Sequence, residues 1–341
     1  MSADWVVVGI DNGGTANNAT VLTSDGDFLV DRLVETPSRV LDGPQVAVAA
    51  MELALDGVLG GVGLPRTAVH AVGLDTPGPA SADGVISSLG ATNFSAQEWR
   101  GFDVRGALER RVGLPVVYTN DGNAAALYAH HAHFGADSGR RSSVAAIVGT
   151  GLGGGIVQDG RVVSGAAGMA GELGHVHIPM DGLLADDQPT PSCNCGFSGD
   201  VESVASLSGI VRNLLPYWLA RYPDHPLAAL PILDAAKQAR SYGERKDSLA
   251  RQLFEQQAIA IGRLFTLVAN ITDPHGYFVG GGIVEAEPGF REWFLDVVRQ
   301  NTTLRAEQAA VASFAVVPDL DMAGARGSAV AAMESVNAGS G

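Results

Sequence analysis

Lysine is almost missing from this chain of 341 residues, with Lys237 and Lys246 the only two. Acidic residues number 37 against 22 lysines and arginines, so the formal net charge is -15. That balance opposes a nucleic-acid or anionic-membrane surface. It does not oppose an anionic small molecule, because a local glycine loop can act against the global field. Cysteine is equally scarce. Cys193 and Cys195 stand one residue apart, which is poor geometry for a disulfide. A disulfide framework is excluded and metal binding stays open. Aromatic residues make up only 6% of a chain that is 46% apolar, so the core is expected to be aliphatic and large. No apolar run is expected to reach the ~18 residues of a membrane span. No basic region precedes the first strand, so no signal peptide is expected and a cytoplasmic location is the simplest reading. At ~150 residues per domain, the length predicts two domains.

Against these absences stands an abundance of glycine, 44 residues, concentrated at two places. Trp5–Ile10 reads as a buried strand and runs into Asp11-Asn12-Gly13-Gly14-Thr15. Ser143–Val148 reads the same way and runs into Gly149-Thr150-Gly151-Leu152-Gly153. Glycine lets backbone N–H groups approach phosphate oxygens closely. Thr15 and Thr150 add hydroxyl donors, and Asp11 can position Mg²⁺ with its waters. One such turn reads as a plain hairpin; two in equivalent places point to a polyphosphate held between two lobes, as in ATP-dependent phosphotransfer. No Gly-Lys-Ser/Thr follows, so this is not a Walker loop. Gly280-Gly281-Gly282 reads as a strand end or as a wall against adenine.

The intervening pattern is α/β. Ala19–Thr23 and Asp27–Val34 flank a hairpin signal at Ser24-Asp25-Gly26. Helices are expected over Gln45–Leu59, Asp103–Arg111, Asn123–Phe134, Glu202–Leu219, Ser248–Ile271, Phe290–Asn301 and Ala325–Val336. Strands are expected at Ala68–Leu74, Val116–Thr119, Gly155–Gln158, Arg161–Val163, Tyr277–Val279 and Ala312–Val317. The order repeats across the midpoint, as duplication of one lobe would produce.

Polar residues cluster at loop ends. Asn120-Asp121 follows a strand and precedes a helix. Asp121 reads as a helix cap or as a general base that accepts a hydroxyl proton, with Asn120 orienting the acceptor. Glu172, His175 and Glu202 add the mixed donors and acceptors that a polyhydroxyl ligand requires. His130, His131 and His133 are expected at the surface. Trp99 and Phe102 line a cleft or anchor their loop.

Together, Asp-x-Gly-Gly-Thr, Asn120-Asp121, Gly-Thr-Gly-x-Gly-Gly, Glu-x-Gly-His and Cys-x-Cys-Gly resemble the ROK family, in order from about Trp5 to about Ala332. That family contains bacterial glucokinases and related sugar kinases. The resemblance implies an α/β, two-lobed actin-like ATPase (ribonuclease H-like) fold with a ligand cleft between lobes. The expected N-terminal lobe spans residues 1–119, with a C-terminal helix of about 322–337 returning to it. The expected larger lobe spans 120–321 and carries a cysteine loop at 175–202. The resemblance implies that Asp121 is the catalytic base and that Asn93, Asn120, Glu172, His175 and Glu202 contact the sugar. It further implies that the glycine loops bind ATP with Mg²⁺, that the chain forms a homodimer, and that the reaction is phosphorylation of a hexose at its 6-hydroxyl.

Three departures from the family pattern matter. Relatives hold a structural Zn²⁺ with the Glu-x-Gly-His histidine and three cysteines. Here His175, Cys193 and Cys195 match, and Asp200 stands at the third cysteine position. A His-Cys-Cys-Asp tetrahedron is chemically reasonable, with His177, Asp181, Asp186 and Asp187 as other ligands and a metal-free loop as the alternative. Second, Ala16 stands where relatives often have lysine. Third, Asp75 replaces a small neutral residue. It reads as bonded to its own turn or as the partner of a substrate cation. The latter points to an aminoglucose such as kanosamine, and so to antibiotic biosynthesis. Two readings of other classes remain: a sugar-responsive regulator, for which no helix-turn-helix is expected before Trp5, and a non-catalytic sugar-binding module.

Overall fold

The computed structural model describes residues 5–78, 80–87 and 94–339. The chain forms two compact units: Met1–Gly139, Gly155–Gly171 and Pro318–Gly341 make the first, and Arg140–Gly154 with Glu172–Val317 make the second. The expected division after residue 119 therefore falls later, at Gly139.

The first unit is built on a sheet ordered β3-β2-β1-β4-β5. Strand β1 (Val6–Asn12) carries Val, Val, Val, Gly and Ile in sequence, all buried, as a central strand covered on both faces requires. It turns at Gly13-Gly14-Thr15 into antiparallel β2 (Ala16–Thr23), which pairs with the short β3 (Glu35–Pro37). Helix α1 (Pro44–Val62) starts with proline in its first turn and stops at the left-handed Gly63. Strand β4 (Val69–Thr76) returns parallel to β1. Helix α2 (Val104–Val112) is capped by the Asp103 carboxylate on Gly106 N–H. Strand β5 (Val116–Asn120) pairs parallel with β4 and leads directly into helix α3 (Asp121–Phe134).

The second sheet repeats the plan with order β10-β9-β6-β7-β8. Strands β6 (Ser143–Val148), β7 (Leu152–Gln158) and β8 (Arg161–Val162) follow one another around glycine turns. Helices α4 (Leu207–Gly209) and α5 (Leu215–Arg221) are joined by a π-helical turn at Ile210–Leu214. Then come α6 (Ile232–Glu244), the long α7 (Ser248–Thr272) and β9 (Gly276–Gly281), parallel to β6. Helices α8 (Pro288–Gln300) and α9 (Ala306–Ala309) precede β10 (Ser313–Val316), parallel to β9. In each sheet the first strand in sequence is central. The second and third lie on one side and the fourth and fifth on the other.

The last helix, α10 (Leu320–Gly339), belongs to the first unit. Its small residues let it sit directly on the sheet. A Cβ at Gly9 would collide with the Ala325 carbonyl, and one at Gly73 with the Ser328 carbonyl. Asn18 Nδ2 donates to the Asp321 carbonyl at 2.8 Å and ties β2 to the helix start.

Several expectations are corrected. The stretch 27–34 forms no continuous second strand; it meets β2 only intermittently, through the Leu22–Phe28 bridge, Leu29 N–H to the Val21 carbonyl at 2.9 Å and Ala19 N–H to the Val34 carbonyl at 3.3 Å. The helix expected from Glu202 begins at Leu207; it is interrupted by the π-helical turn at Ile210–Leu214, and α5 restarts with Pro216 in its first turn. His130 is fully buried, its Nε2 2.9 Å from the Ser138 carbonyl. For Trp99 the anchoring reading holds: it is fully buried and donates to the Val40 carbonyl at 2.9 Å. Helix α1 is long and apolar enough to cross a membrane by length and composition. Its Ala47, Met51, Leu55 and Val58 are buried in the core of the first unit, while Glu52 and Asp56 pair with Arg66.

Candidate active site

Asp11 lies near the end of β1, where the apolar run gives way to the glycine turn. Parallel pairing puts it directly beside Asp75 of β4. Gly324 of α10 leaves the space that the Asp11 side chain fills. Burial, with the nearby Asp121 charge, pushes Asp11 up to about 6, against the lowering effect of a hydrogen bond with Asp75. Burial and the Asp11 charge raise Asp75 well above the ordinary carboxylate range. Two carboxyl groups this close cannot both ionise. Asp75 is therefore the proton holder and donates to Asp11.

Asp75 is fully enclosed, and its Oδ2 accepts from Ser328 Oγ at 2.6 Å. The expectation that it pairs with a substrate cation thus meets a protonated, buried carboxyl whose partners come from the protein. The alternative, a bond within its own turn, is also corrected, since Ser328 lies on α10.

Asp121 is the first residue of α3 and is exposed. Its capping reading belongs instead to Asn120, whose Oδ1 accepts from Asn123 N–H at 2.7 Å. Asp121 Oδ1 accepts from Gly122 N–H at 2.7 Å. The first turn of α3 thus holds the carboxylate in place. Asn93 lies outside the described residues.

In the second unit, the loop after β6 is braced from outside. Gly149 N–H donates to the Gly151 carbonyl at 2.9 Å, Leu207 N–H to the Gly149 carbonyl at 3.0 Å, and Ser208 N–H to the Thr150 carbonyl at 3.0 Å. Gly149, Thr150 and Gly153 remain exposed. Gly151 leaves room for the Glu202 carboxylate, which a Cβ there would displace. Glu202 Oε2 accepts from Leu152 N–H at 2.9 Å. Its Oε1 accepts from Cys193 Sγ at 3.4 Å. Glu202 therefore ties the glycine loop to the cysteine loop.

Residues 174–178 and 199–202 run side by side. Glu202 N–H donates to the Gly174 carbonyl at 2.8 Å and Val201 N–H to the Val176 carbonyl at 3.0 Å. This pairing brings His175 to Asp200, with Nδ1 3.3 Å from Oδ2. A tight turn with Gly196 at φ 96 folds Cys193 and Cys195 onto the same place. One donor atom from each of His175, Cys193, Cys195 and Asp200 lies within 4.8 Å of the others. Burial alone would raise Asp200, but hydrogen bonds from Cys193, Ser203 N–H, His175 and Cys195 hold it below its ordinary value. Burial pushes the Cys193 thiol up. One nitrogen, two sulfurs and one carboxylate oxygen in this space fit a tetrahedral Zn²⁺, with bonds of about 2.0–2.3 Å. Of the other ligands considered, Asp187 is taken by Tyr217 and Arg221. Glu172 stays exposed at the start of the turn that carries His175.

The end of β9 approaches the same glycine loop. Gly281 has φ 96, and a Cβ there would collide with the Val148 carbonyl. Beside it opens a pocket of about 300 Å³. Val148, Gly149 and Gly282 form one side, and Leu207, Ile210, Ile283, Phe254 and Phe294 supply apolar walls. Its polar lining comes from Gln257 and from Lys237 and Arg240 of α6. Sequence reasoning named the glycines but missed α6 and these two cations.

Comparisons with known proteins agree with this architecture. The ROK family matches residues 7–335. A glucokinase from Halalkalibacterium halodurans is 33% identical over 294 residues, covering 84% of this chain and 82% of the relative. An N-acetyl-D-glucosamine kinase from Vibrio vulnificus is 34% identical over 224 residues, covering 65% of this chain and 68% of the relative. Among solved structures, a ROK hexokinase from Thermus thermophilus aligns with a TM-score of 0.74 at 29% identity, covering 98% of this chain and 99% of that one. A ROK glucokinase from Streptomyces griseus, solved with glucose and AMPPNP, aligns with a TM-score of 0.69 at 29% identity, covering 96% and 99%. The chain has the two-lobed actin-like ATPase fold and belongs to the ROK family.

Proposed function

We propose that this chain transfers the γ-phosphoryl group of ATP to the 6-hydroxyl of a hexose of the glucose type. The observation that carries the reading is Asp121, an exposed carboxylate held at the first turn of α3, with Asn120 taking over the capping. Asp121 accepts the proton of the attacking hydroxyl. Asn120, Glu172, His175 and Glu202 bind the sugar hydroxyls, and Asn93 joins them. The turns at Gly13–Thr15 and Gly149–Gly153 present N–H groups to phosphate oxygens. Phosphoryl transfer asks chiefly for such positioning and charge stabilisation. The 300 Å³ pocket takes the nucleoside, and Gly280–Gly282 forms part of its wall. Mg²⁺, when bound, neutralises charge on the transferring phosphates, and Asp11 is the residue placed to hold its waters. His175, Cys193, Cys195 and Asp200 hold a structural Zn²⁺ that keeps the cysteine loop against Glu202. Support comes from relatives named as glucokinases and from the neighbour solved with glucose and AMPPNP.

Enclosure of Asp75 favours a neutral hexose over an aminoglucose, because no carboxylate is left free there for an ammonium group. A coupled assay across neutral and amino hexoses, with the product examined by NMR, tests the substrate and the phosphorylated position. Asp121→Asn should lower kcat by at least ~10²-fold with sugar affinity largely kept. Near-normal turnover in that variant overturns the assignment.

A further inference from the structure

We propose that Lys237 binds the phosphates of the nucleotide in the second-unit pocket and so sets this chain's affinity for its phosphoryl donor; the inference rests on the sugar-kinase reading above. The pocket is apolar along Leu207, Ile283 and Phe294, which suits a flat base, and its glycine side ends at Gly149. A nucleoside seated there directs its phosphates toward the exposed Gly149-Thr150 backbone. Two cations line the same pocket, Lys237 and Arg240, one turn apart on α6. They are not equivalent. Arg240 is committed: its guanidinium donates to the Gly282 carbonyl and pairs with Glu285 at 3.0 Å and with Glu244 at 3.8 Å. It holds the glycine run in place.

Lys237 is exposed, and among the described residues it makes no hydrogen bond or ion pair. In a chain of net charge -15 with two lysines, an uncommitted ammonium on a pocket wall is well suited to an anion. An ammonium is a compact, mobile point charge with three donors, suited to phosphate oxygens of varying position. Neighbouring Ala235, Ala236 and Ala239 are buried, so the backbone that carries Lys237 is fixed while its side chain is free to reach the ligand.

The test measures binding of Mg–AMPPNP by calorimetry and steady-state kinetics with ATP for the wild type, Lys237→Ala and Lys237→Arg. Lys237→Ala should weaken AMPPNP binding and raise KM for ATP about tenfold. KM for the sugar should stay within about twofold, and Lys237→Arg should recover most of the loss. Inhibition by adenosine, which has no phosphate, should be the same in all three proteins. AMPPNP affinity within twofold of wild type in Lys237→Ala overturns the inference. So does a parallel loss of adenosine binding, which would assign Lys237 to the pocket wall rather than to phosphate. Calorimetry needs no turnover, so a chain that binds AMPPNP through Lys237 yet phosphorylates no sugar would overturn only the kinase reading.

Discussion

Asp11→Asn should make the first unit more stable above pH 6 while impairing catalysis. Burial lifts the Asp11 carboxyl from an ordinary 3.8 to about 6. Between those values the folded chain holds a proton that the unfolded chain has released. Stability therefore falls as pH rises through the window, and the cost is complete above it. The difference corresponds to about 3 kcal/mol. Asparagine has nearly the same shape, and its Oδ1 can still accept the proton that Asp75 donates, so the substitution removes the charging cost and little else. At about 2–4 °C per kcal/mol for a unit of this size, the melting transition at pH 8 should rise by about 6–12 °C. At pH 4 both folded proteins carry a neutral group there, only about 0.6 kcal/mol of the cost remains, and the two should melt within about 2 °C of each other.

The assay is thermal unfolding of wild type and variant from pH 4 to pH 8, without Mg²⁺ or nucleotide. A variant that melts at or below the wild type at pH 8 refutes the reasoning. So does a stabilisation that is equal at pH 4 and pH 8, since titration could not then be its source. In parallel, kcat should fall at least tenfold, because the charge that is costly to bury is the one proposed to position Mg²⁺. Such a trade between stability and activity is common where a site needs a charge that the fold resists.

Elemental analysis should find one zinc per chain, and Cys193→Ser should lose it. Stripping the metal with a chelator should lower the stability of the second unit by up to ~4 kcal/mol if zinc is present at a thousand times its dissociation constant; a zinc-free protein with unchanged melting and activity would end the proposal. Gly151→Ala should push the Glu202 carboxylate off Leu152 N–H, at a cost of about 1–3 kcal/mol for the unsatisfied group. Raised KM for ATP with folding retained is the expected result, and unchanged KM and stability would show that the loop tolerates the Cβ.

Much of the fold was legible because its central strands are apolar runs ended by glycine. Val6–Ile10 and Val144–Val148 announce themselves in this way, and the strand–turn–strand order that follows each is the order seen in both sheets. What failed is what depends on packing between distant segments. Helix α6 was missed because its buried face is made of Ala235, Ala236, Ala239 and Gly243, while Ile232 and Leu233 are exposed. Small residues carry almost no hydrophobic periodicity, although they permit close packing. The hairpin signal at Ser24–Gly26 was a correct turn signal, but beyond it the chain meets β2 only at scattered points, at Phe28, Leu29 and Val34. The start of α4 was misplaced because residues 202–206 spend their hydrogen bonds elsewhere: Glu202 N–H goes to Gly174, and Ser206 Oγ accepts from Gly209 N–H at 2.8 Å.

The site divides along the same line. The set carried over from the family resemblance, His175, Cys193, Cys195 and Asp200, does converge, because two antiparallel segments and one glycine turn suffice to join these residues. Asp75 was misread because its surroundings arrive from 253 residues away, in Ser328. A strand-end aspartate looks the same in sequence whether it faces a ligand or the underside of a helix. In this chain α10 decides the matter. Its Gly324 makes room for Asp11, and its Ser328 engages Asp75. The two carboxyls consequently share a proton beneath α10, with Asp75 fully buried and Asp11 half-buried, and Asp121 is the exposed member of the acidic trio. That division of roles, with Asp75 enclosed under α10 and Asp121 presented to solvent, is why Asp121 and not Asp75 is the residue on which catalysis should depend.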